Sequence, residues 1–270
     1  MPHFAMNDTI LLERDGPVAT LTLNRPKALN TLDVAMVDAL VACSAEVAAD
    51  DSLAVVVLRG SGSHFMAGGD IRTFAESLPN PPAERQATFH RMIERINVAM
   101  ENLHRMPHPL IGRVHGAVAG LGLSLVTACD VAVASDDAYF ASAYRHIALS
   151  PDGGGSWTLP RVVGLHKAME ILLLGERFDA AEAARIGIVN KVVPAAELDA
   201  AVAAIVESLV KGPRFALRSA RRLVRDALER SLSETLQAEA VSFGRCTGTA
   251  DFADGITAFL GKRPARFDRG

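Results

Sequence analysis

The sequence predicts an α/β fold, and three observations carry that prediction. Short apolar strands alternate with helices over residues 1–195, and residues 196–270 are patterned as helix throughout. Glycine-rich turns stand where strands hand over to helices. Alternation of this kind implies crossover connections between strands.

The elements follow in order. Residues 10–14 and 18–24, divided by Asp15-Gly16-Pro17, read as a β-hairpin. Thr31 or Asp33 is placed to cap a helix to residue 49, with Val34, Val37, Leu40, Val41 and Val47 on its apolar face. An apolar strand at 53–58 ends in the turn 60–63, and Ala67-Gly-Gly-Asp-Ile71 forms a second glycine turn before a helix. Prolines at 79 to 82 mark a loop. The long helix expected over 84–105 stops at Pro107 and Pro109, because proline removes a helix donor. Strands at 110–114 and 131–134 belong to the core. Beyond Leu165, helices are expected over 167–174, 180–186, 197–211, 214–229, 233–247 and 251–260, with one strand at 189–193. Arg218, Arg221, Arg222 and Arg225, at helical spacing, read as a solvated or inter-subunit face.

Composition narrows the function. Apolar residues make up 49%, charged residues 22%, and the net charge is -3, so no basic surface for nucleic acid is implied. Cys43, Cys129 and Cys246 lack CxxC spacing, which predicts neither a zinc site nor a disulfide framework and fits a reducing cytoplasm. His64, His115 and His146 have no metal-ligand spacing and read as packed or surface residues. Residues 1–8 lack the basic and apolar regions of a signal peptide. The longest uncharged run, 114–129, is shorter than the roughly 20 residues that span a bilayer, so no membrane partner is expected.

The segment from Gly116 to Asp130 carries the most chemistry. Glycines at 116, 120 and 122 precede an apolar helix whose first amides lack internal partners and point outward as donors. Such a place favours negative charge, either a phosphate or the oxyanion of a reacting carbonyl. The alternative is that these glycines serve only close helix-sheet packing.

Several segments together resemble the crotonase (enoyl-CoA hydratase/isomerase) superfamily. They are Asn24-Arg-Pro-Lys-Ala-Leu-Asn30, His64-Phe-Met-Ala-Gly-Gly-Asp-Ile71, the stretch from Pro109 to Asp130, the stretch from Ala180 to Lys191, and Phe259-Leu-Gly-Lys-Arg263. The resemblance runs over about residues 8–268, in order. It implies a ClpP-like spiral of ββα units over 1–195 that binds an acyl-CoA thioester, and a helical trimerisation region over 196–270. A homotrimer or dimer of trimers is then expected. No permanently bound cofactor or metal is expected, because the substrate itself carries coenzyme A.

Residue roles follow from the same resemblance. The thioester oxygen would sit between the amides of Gly69 and Leu121, although many relatives have glycine in place of Leu121. Lys27, Ala28 and Leu29 would hold the coenzyme, with Ala67, Gly69, Asp70 and Ile71 beside it. Phe259 and Lys262 would reach it from a neighbouring subunit. Asp70 also reads simply as a helix cap.

Hydratases of the superfamily use two glutamates. Ser124 and Tyr144 stand at those positions here, and neither is a base near neutral pH. Asp152, before the glycine run 153–155, matches the acid that faces the acyl pocket in double-bond isomerases and in the ring-epoxide isomerase of phenylacetyl-CoA breakdown. That branch is the one the chain resembles most. Ser124, Tyr144 and Trp157 would line the substrate pocket. The expected activity is acyl-CoA isomerisation through Asp152, with an enolate held by Gly69 and Leu121. The alternatives are a weak single-carboxylate hydratase, or a non-catalytic acyl-CoA-binding homologue. As the bland alternative, Asp152 is the N-cap of the following helix.

Overall fold

A computed structural model describes residues 7–267; residues 1–6 of the amino-terminal segment discussed above lie outside them. Strands β1 (Ile10–Asp15) and β2 (Val18–Leu23) form the expected hairpin, with Asp15 opposite Val18. Four further strands are β3 (Val55–Gly60), β4 (Leu110–Val114), β6 (Val131–Ser135) and β9 (Lys191–Val193). They extend the hairpin in parallel into one sheet, in the order β1-β2-β3-β4-β6-β9.

A second, smaller sheet holds β5 (Ala117–Ala119), β7 (Tyr139–Ala141) and β8 (Phe178–Asp179). Its strands are too short to show a period, so the sequence pattern does not reveal them. They make the architecture a spiral. β4 turns at Gly116 into β5 and then into helix α4 (Leu121–Ala128); β6 turns into β7 and then toward α5 (Gly155–Val163). The Gly116 corner has φ +56, and a Cβ there would lie 2.1 Å from the Ser63 carbonyl oxygen.

Helices cover both faces of the large sheet. Asp33, not Thr31, caps α1 (Val34–Ala49), accepting from the Met36 amide. Val34, expected on the apolar face, is instead 53% exposed, because the buried stripe is Met36, Val37, Leu40, Cys43 and Val47. That stripe packs against α3 (Pro82–Arg105), with the short α2 (Ile71–Glu76) before it. On the other face α8 (Leu198–Val210) packs Leu198 and Val202 onto Val55, Val57, Ile111 and Val133. Alternate residues Val56 and Leu58 enter the main core, so β3 is buried on both sides. Helices α6 (Leu165–Leu174), α7 (Ala180–Arg185), α9 (Arg214–Ala227), α10 (Leu232–Thr247) and α11 (Ala250–Leu260) complete the chain.

Arg218, Arg221 and Arg225 of α9 are not a solvated face, whereas Arg222 is exposed. Arg221 and Arg225 both bind Asp130, each at 2.6 Å, with side chains 7% and 16% exposed. Arg221 also donates to the carbonyls of Leu103, His104 and Met106, and Arg225 to that of Ala128. Arg218 donates to the Asp51 and Leu53 carbonyls. Burial pushes the Arg221 guanidinium below its usual basicity, with Asp130 opposing. The helical spacing sets Arg218, Arg221 and Arg225 on one face, and that face clasps the body of the protein.

A second tight fit shapes the region after β7. Leu121 is 2% exposed, and a Cβ on Gly153 would come within 2.2 Å of its Cδ1. Gly153 also has φ +56, a conformation costly for other residues. A bulky residue at 121 is therefore accommodated by a missing side chain at 153.

Two stability predictions follow from these contacts. Asp130→Ala leaves two largely buried guanidinium groups unpaired and should cost about 3–5 kcal/mol, read as a fall in the urea midpoint. Gly153→Ala should destabilise by both steric overlap and backbone strain. Adding Leu121→Ala should recover the steric part, leaving about 1–2 kcal/mol of left-handed strain in a double-mutant cycle.

Candidate active site

The site is built where two main-chain segments meet. Asn30, fully buried at φ +54, donates from Nδ2 to the carbonyls of Ser61 (2.9 Å) and His64 (2.7 Å), tying the 24–30 loop to the end of β3. The Ala67 amide donates to Leu29, the Leu32 amide to Gly68, and the Asp70 amide to Leu32. In that parallel bridge Leu32 bonds to the residues flanking Gly69, so the N–H of Gly69 itself faces the other way.

The second segment is zipped to the first. The Met66 amide donates to Ala117 at 3.0 Å, and the Ala119 amide to Met66 at 2.8 Å. Gly120, at φ +53, then abuts Gly68; a Cβ on Gly120 would lie 3.3 Å from the Gly68 Cα. Leu121 opens α4, with its amide in the first, unpaired turn. Among the described residues, no hydrogen bond leaves the amide of Gly69 or of Leu121. Two free donors thus stand on adjoining glycine turns. Phe74 lies beside them: a Cβ on Gly69 would come within 2.8 Å of its ring, which packs against Phe89 at 5.1 Å.

The acid group comes from the turn after β7. Tyr144, in a short 3-10 turn (Tyr144–Ile147), is 9% exposed and donates its hydroxyl to Oδ1 of Asp152 at 2.6 Å. Ser124, on α4 and 2% exposed, donates to the Asp152 carbonyl at 2.9 Å. Asp152 does not cap the next helix; the cap of α5 is Gly154, with no side-chain bond. Burial pushes the Asp152 carboxyl above the usual carboxylate range, while the Tyr144 hydroxyl opposes the shift. Burial and the Asp152 charge drive the Tyr144 phenol far above its ordinary value, so it stays a neutral donor. The site is continuous with the amides, because Gly153 rests on Leu121 and the Tyr144 ring lies 3.8 Å from a Cβ placed on Gly120.

The remaining predicted residues fall into separate groups. Lys27 is exposed, Ala28 half-buried, and Leu29 is 44% exposed at φ +54, all on the turn beside Ala67. Asp70 caps α2 through the Arg72 amide and pairs with Arg25 at 2.9 Å. Ile71 is 56% exposed at the start of α2. Trp157 meets His104 edge-on at 5.1 Å and lies beneath Arg161, so its ring contacts are with the end of α3 and with its own helix. Phe259 is 82% exposed on α11, and Lys262 follows it at φ +50. His64 and His115 brace the β4–β5 corner, accepting from the Ala117 amide and meeting the Gly62 carbonyl respectively. Sequence reasoning missed Asn30 as the tie between loops, and Phe74. Only the sharp turns at 29 and 30 could have hinted at the first.

Comparison with known proteins gives the family. The family profile described as enoyl-CoA hydratase/isomerase matches residues 13–270. The 1,2-epoxyphenylacetyl-CoA isomerase of Escherichia coli is 32% identical over 263 residues, covering 97% of this chain and 99% of that protein. The crotonyl-CoA hydratase of Syntrophomonas wolfei is 33% identical over 264 residues, covering 96% and 98%. The crystal structure of an enoyl-CoA hydratase from Mycobacterium smegmatis superposes with a TM-score of 0.88 at 34% identity, covering 96% and 98% of the two chains. A spiral of strand pairs and helices, two unpaired amides on facing glycine turns, and a match along nearly the whole length lead to one assignment: this chain is a member of the enoyl-CoA hydratase/isomerase family, within the crotonase superfamily.

Proposed function

We propose that the chain is an acyl-CoA isomerase, moving a double bond by proton transfer through Asp152. One observation carries this reading. A half-buried carboxyl, tied to Tyr144, belongs to the turn that rests on Leu121, while by the family resemblance Ser124 and Tyr144 fill the positions where hydratases hold glutamates. A lone acid can shuttle a proton, whereas Ser124 and Tyr144 supply no second carboxylate to orient water.

With a 3-enoyl thioester the steps balance as follows. The ionised Asp152 takes a proton from the carbon next to the thioester. The C–H electron pair spreads into a dienolate, whose oxygen is held by the Gly69 and Leu121 amides. Losing one such donor typically costs about 3–4 kcal/mol of transition-state stabilisation. Asp152 then returns the proton to the far end of the dienolate, giving the conjugated 2-enoyl thioester. Desolvation suits the carboxyl to both steps, because a raised pKa makes it a stronger base and still a usable acid. Lys27, Ala28 and Leu29 would hold the coenzyme, with Lys27 meeting a phosphate as a point charge. The likeness to an epoxyphenylacetyl-CoA isomerase adds a ring epoxide of phenylacetyl-CoA as a second substrate to try.

The helical end of the chain supports assembly into a homotrimer or a dimer of trimers. Leu232 (75%), Phe243 (74%), Phe259 (82%) and Leu260 (77%) stand exposed on α10 and α11, apolar side chains that a neighbouring subunit would cover.

The decisive assay offers 3-enoyl-CoA, crotonyl-CoA and ring-epoxide phenylacetyl-CoA. Conversion of the first or third is expected, with Asp152→Asn lowering it by about 10²–10⁴-fold. Loss of the crotonyl-CoA chromophore without isomerisation would mark a hydratase instead, and no turnover of any ester a binding protein. Because Asp152 acts in its ionised form and burial raises its pKa, kcat/KM should fall on acidification at a pH above the ordinary carboxylate range. Light scattering should give three or six chain masses in solution.

A further inference from the structure

We propose that Tyr144 is a positioning residue for this proton transfer: its hydroxyl occupies Oδ1 of Asp152 and leaves Oδ2 as the atom that takes and returns the substrate proton. The inference rests on the isomerase reading above and assigns Tyr144 more than a place in the pocket wall. The bond is short, 2.6 Å, and Tyr144 cannot swing away, because its ring is buried against Gly120 and the main chain of its turn is pinned at both ends. Its amide donates to Ser142, and its carbonyl accepts from Leu149. Ser124 holds the carbonyl of Asp152 while Tyr144 holds the carboxyl, so neither the main chain nor the side chain of the acid is loose.

The arrangement has a chemical consequence. When Asp152 is charged, the phenol stabilises it on Oδ1. When Oδ2 has taken the substrate proton, the phenol still donates to Oδ1, which is then a carbonyl oxygen. The O–H bond formed in the first half-reaction therefore stays on Oδ2, toward the substrate. Breaking that same bond in the second half returns the proton and leaves the carboxylate as it began. A phenol that is a donor in both states orients the acid without itself losing or gaining a proton.

Few other charges act on this pair. α4 carries no ionisable side chain. In the 3-10 turn, Arg145 is turned to the Leu173 and Leu174 carbonyls, and His146 to that of Gly175. Arg161 of α5 lies over Trp157, and on α6 Lys167 pairs with Glu170. The Tyr144 bond is thus the main protein influence, besides burial, on the protonation of Asp152.

The experiment is Tyr144→Phe, which keeps the ring and removes one oxygen. The acid limb of kcat/KM should move to higher pH, since the bond favouring the charged carboxyl is gone. kcat should fall about 10- to 100-fold from the loosened geometry. Titration of the Asp152 carboxyl carbon by NMR in the folded, unliganded protein should show the same upward shift and needs no turnover. An unmoved carboxyl titration overturns the role of Tyr144, even if Asp152→Asn abolishes isomerisation. If Asp152→Asn isomerises as well as wild type, the isomerase reading falls instead, whatever the titration shows.

Discussion

The structure depends on one close approach between two stretches of main chain. Gly68 and Gly120 touch where no side chain could intervene, and the bridge between Met66 and Val118 holds them in register. That contact places a free amide on each side of a common space. Neither helix alone would do so: α2 is short, and α4 starts after a glycine in a conformation that L residues avoid. The closeness that packing requires is thus what brings the two unpaired donors together. Oriented main-chain dipoles of this kind need no reorganisation as charge develops, which is why they act strongly in a dry site.

The acid group depends on that same frame. The turn carrying Asp152 rests on Leu121, so the residue with one of the two unpaired amides is also the floor beneath that turn. Leu121 and Gly153 form a complementary pair, bulk on one side and absence on the other. Ser124, one turn further along α4, uses its hydroxyl on the Asp152 main chain. Donor, floor and brace come from a single turn of helix, so small shifts of α4 would move all three in concert.

How much of this could be read from the chain follows physical lines. The hairpin, the long helices and the strands of the large sheet announce themselves by period and punctuation, and the glycine turns by their composition. The small sheet does not, since strands of two or three residues, such as Phe178–Asp179, have no period. The glycine run before α5 marked a turn at Asp152, but only the fold shows that the carboxyl meets Tyr144 and not the helix amides. Eight residues separate the two in sequence, and a left-handed residue at each end of the intervening 3-10 turn, Ala143 and Ala148, brings them face to face. The arginines of α9 misled for a related reason. Helical spacing tells which residues share a face, while the long-range acceptors that cover the face, Asp130 above all, are set by tertiary packing.

That arginine clasp links the two ends of the molecule through α4. The helix has eight residues, about 12 Å from end to end. Its first amide, that of Leu121, is one of the two unpaired donors, and its last carbonyl, at Ala128, receives the Arg225 guanidinium. A cation at that terminus is favourable to the helix, because the exposed carbonyls carry partial negative charge. The carboxy-terminal layer thus grips the tail of the rod whose tip carries the unpaired Leu121 amide. The short helix is thus held at its tail by the clasp and at its tip by the glycine contact, with only eight residues of rod between the two.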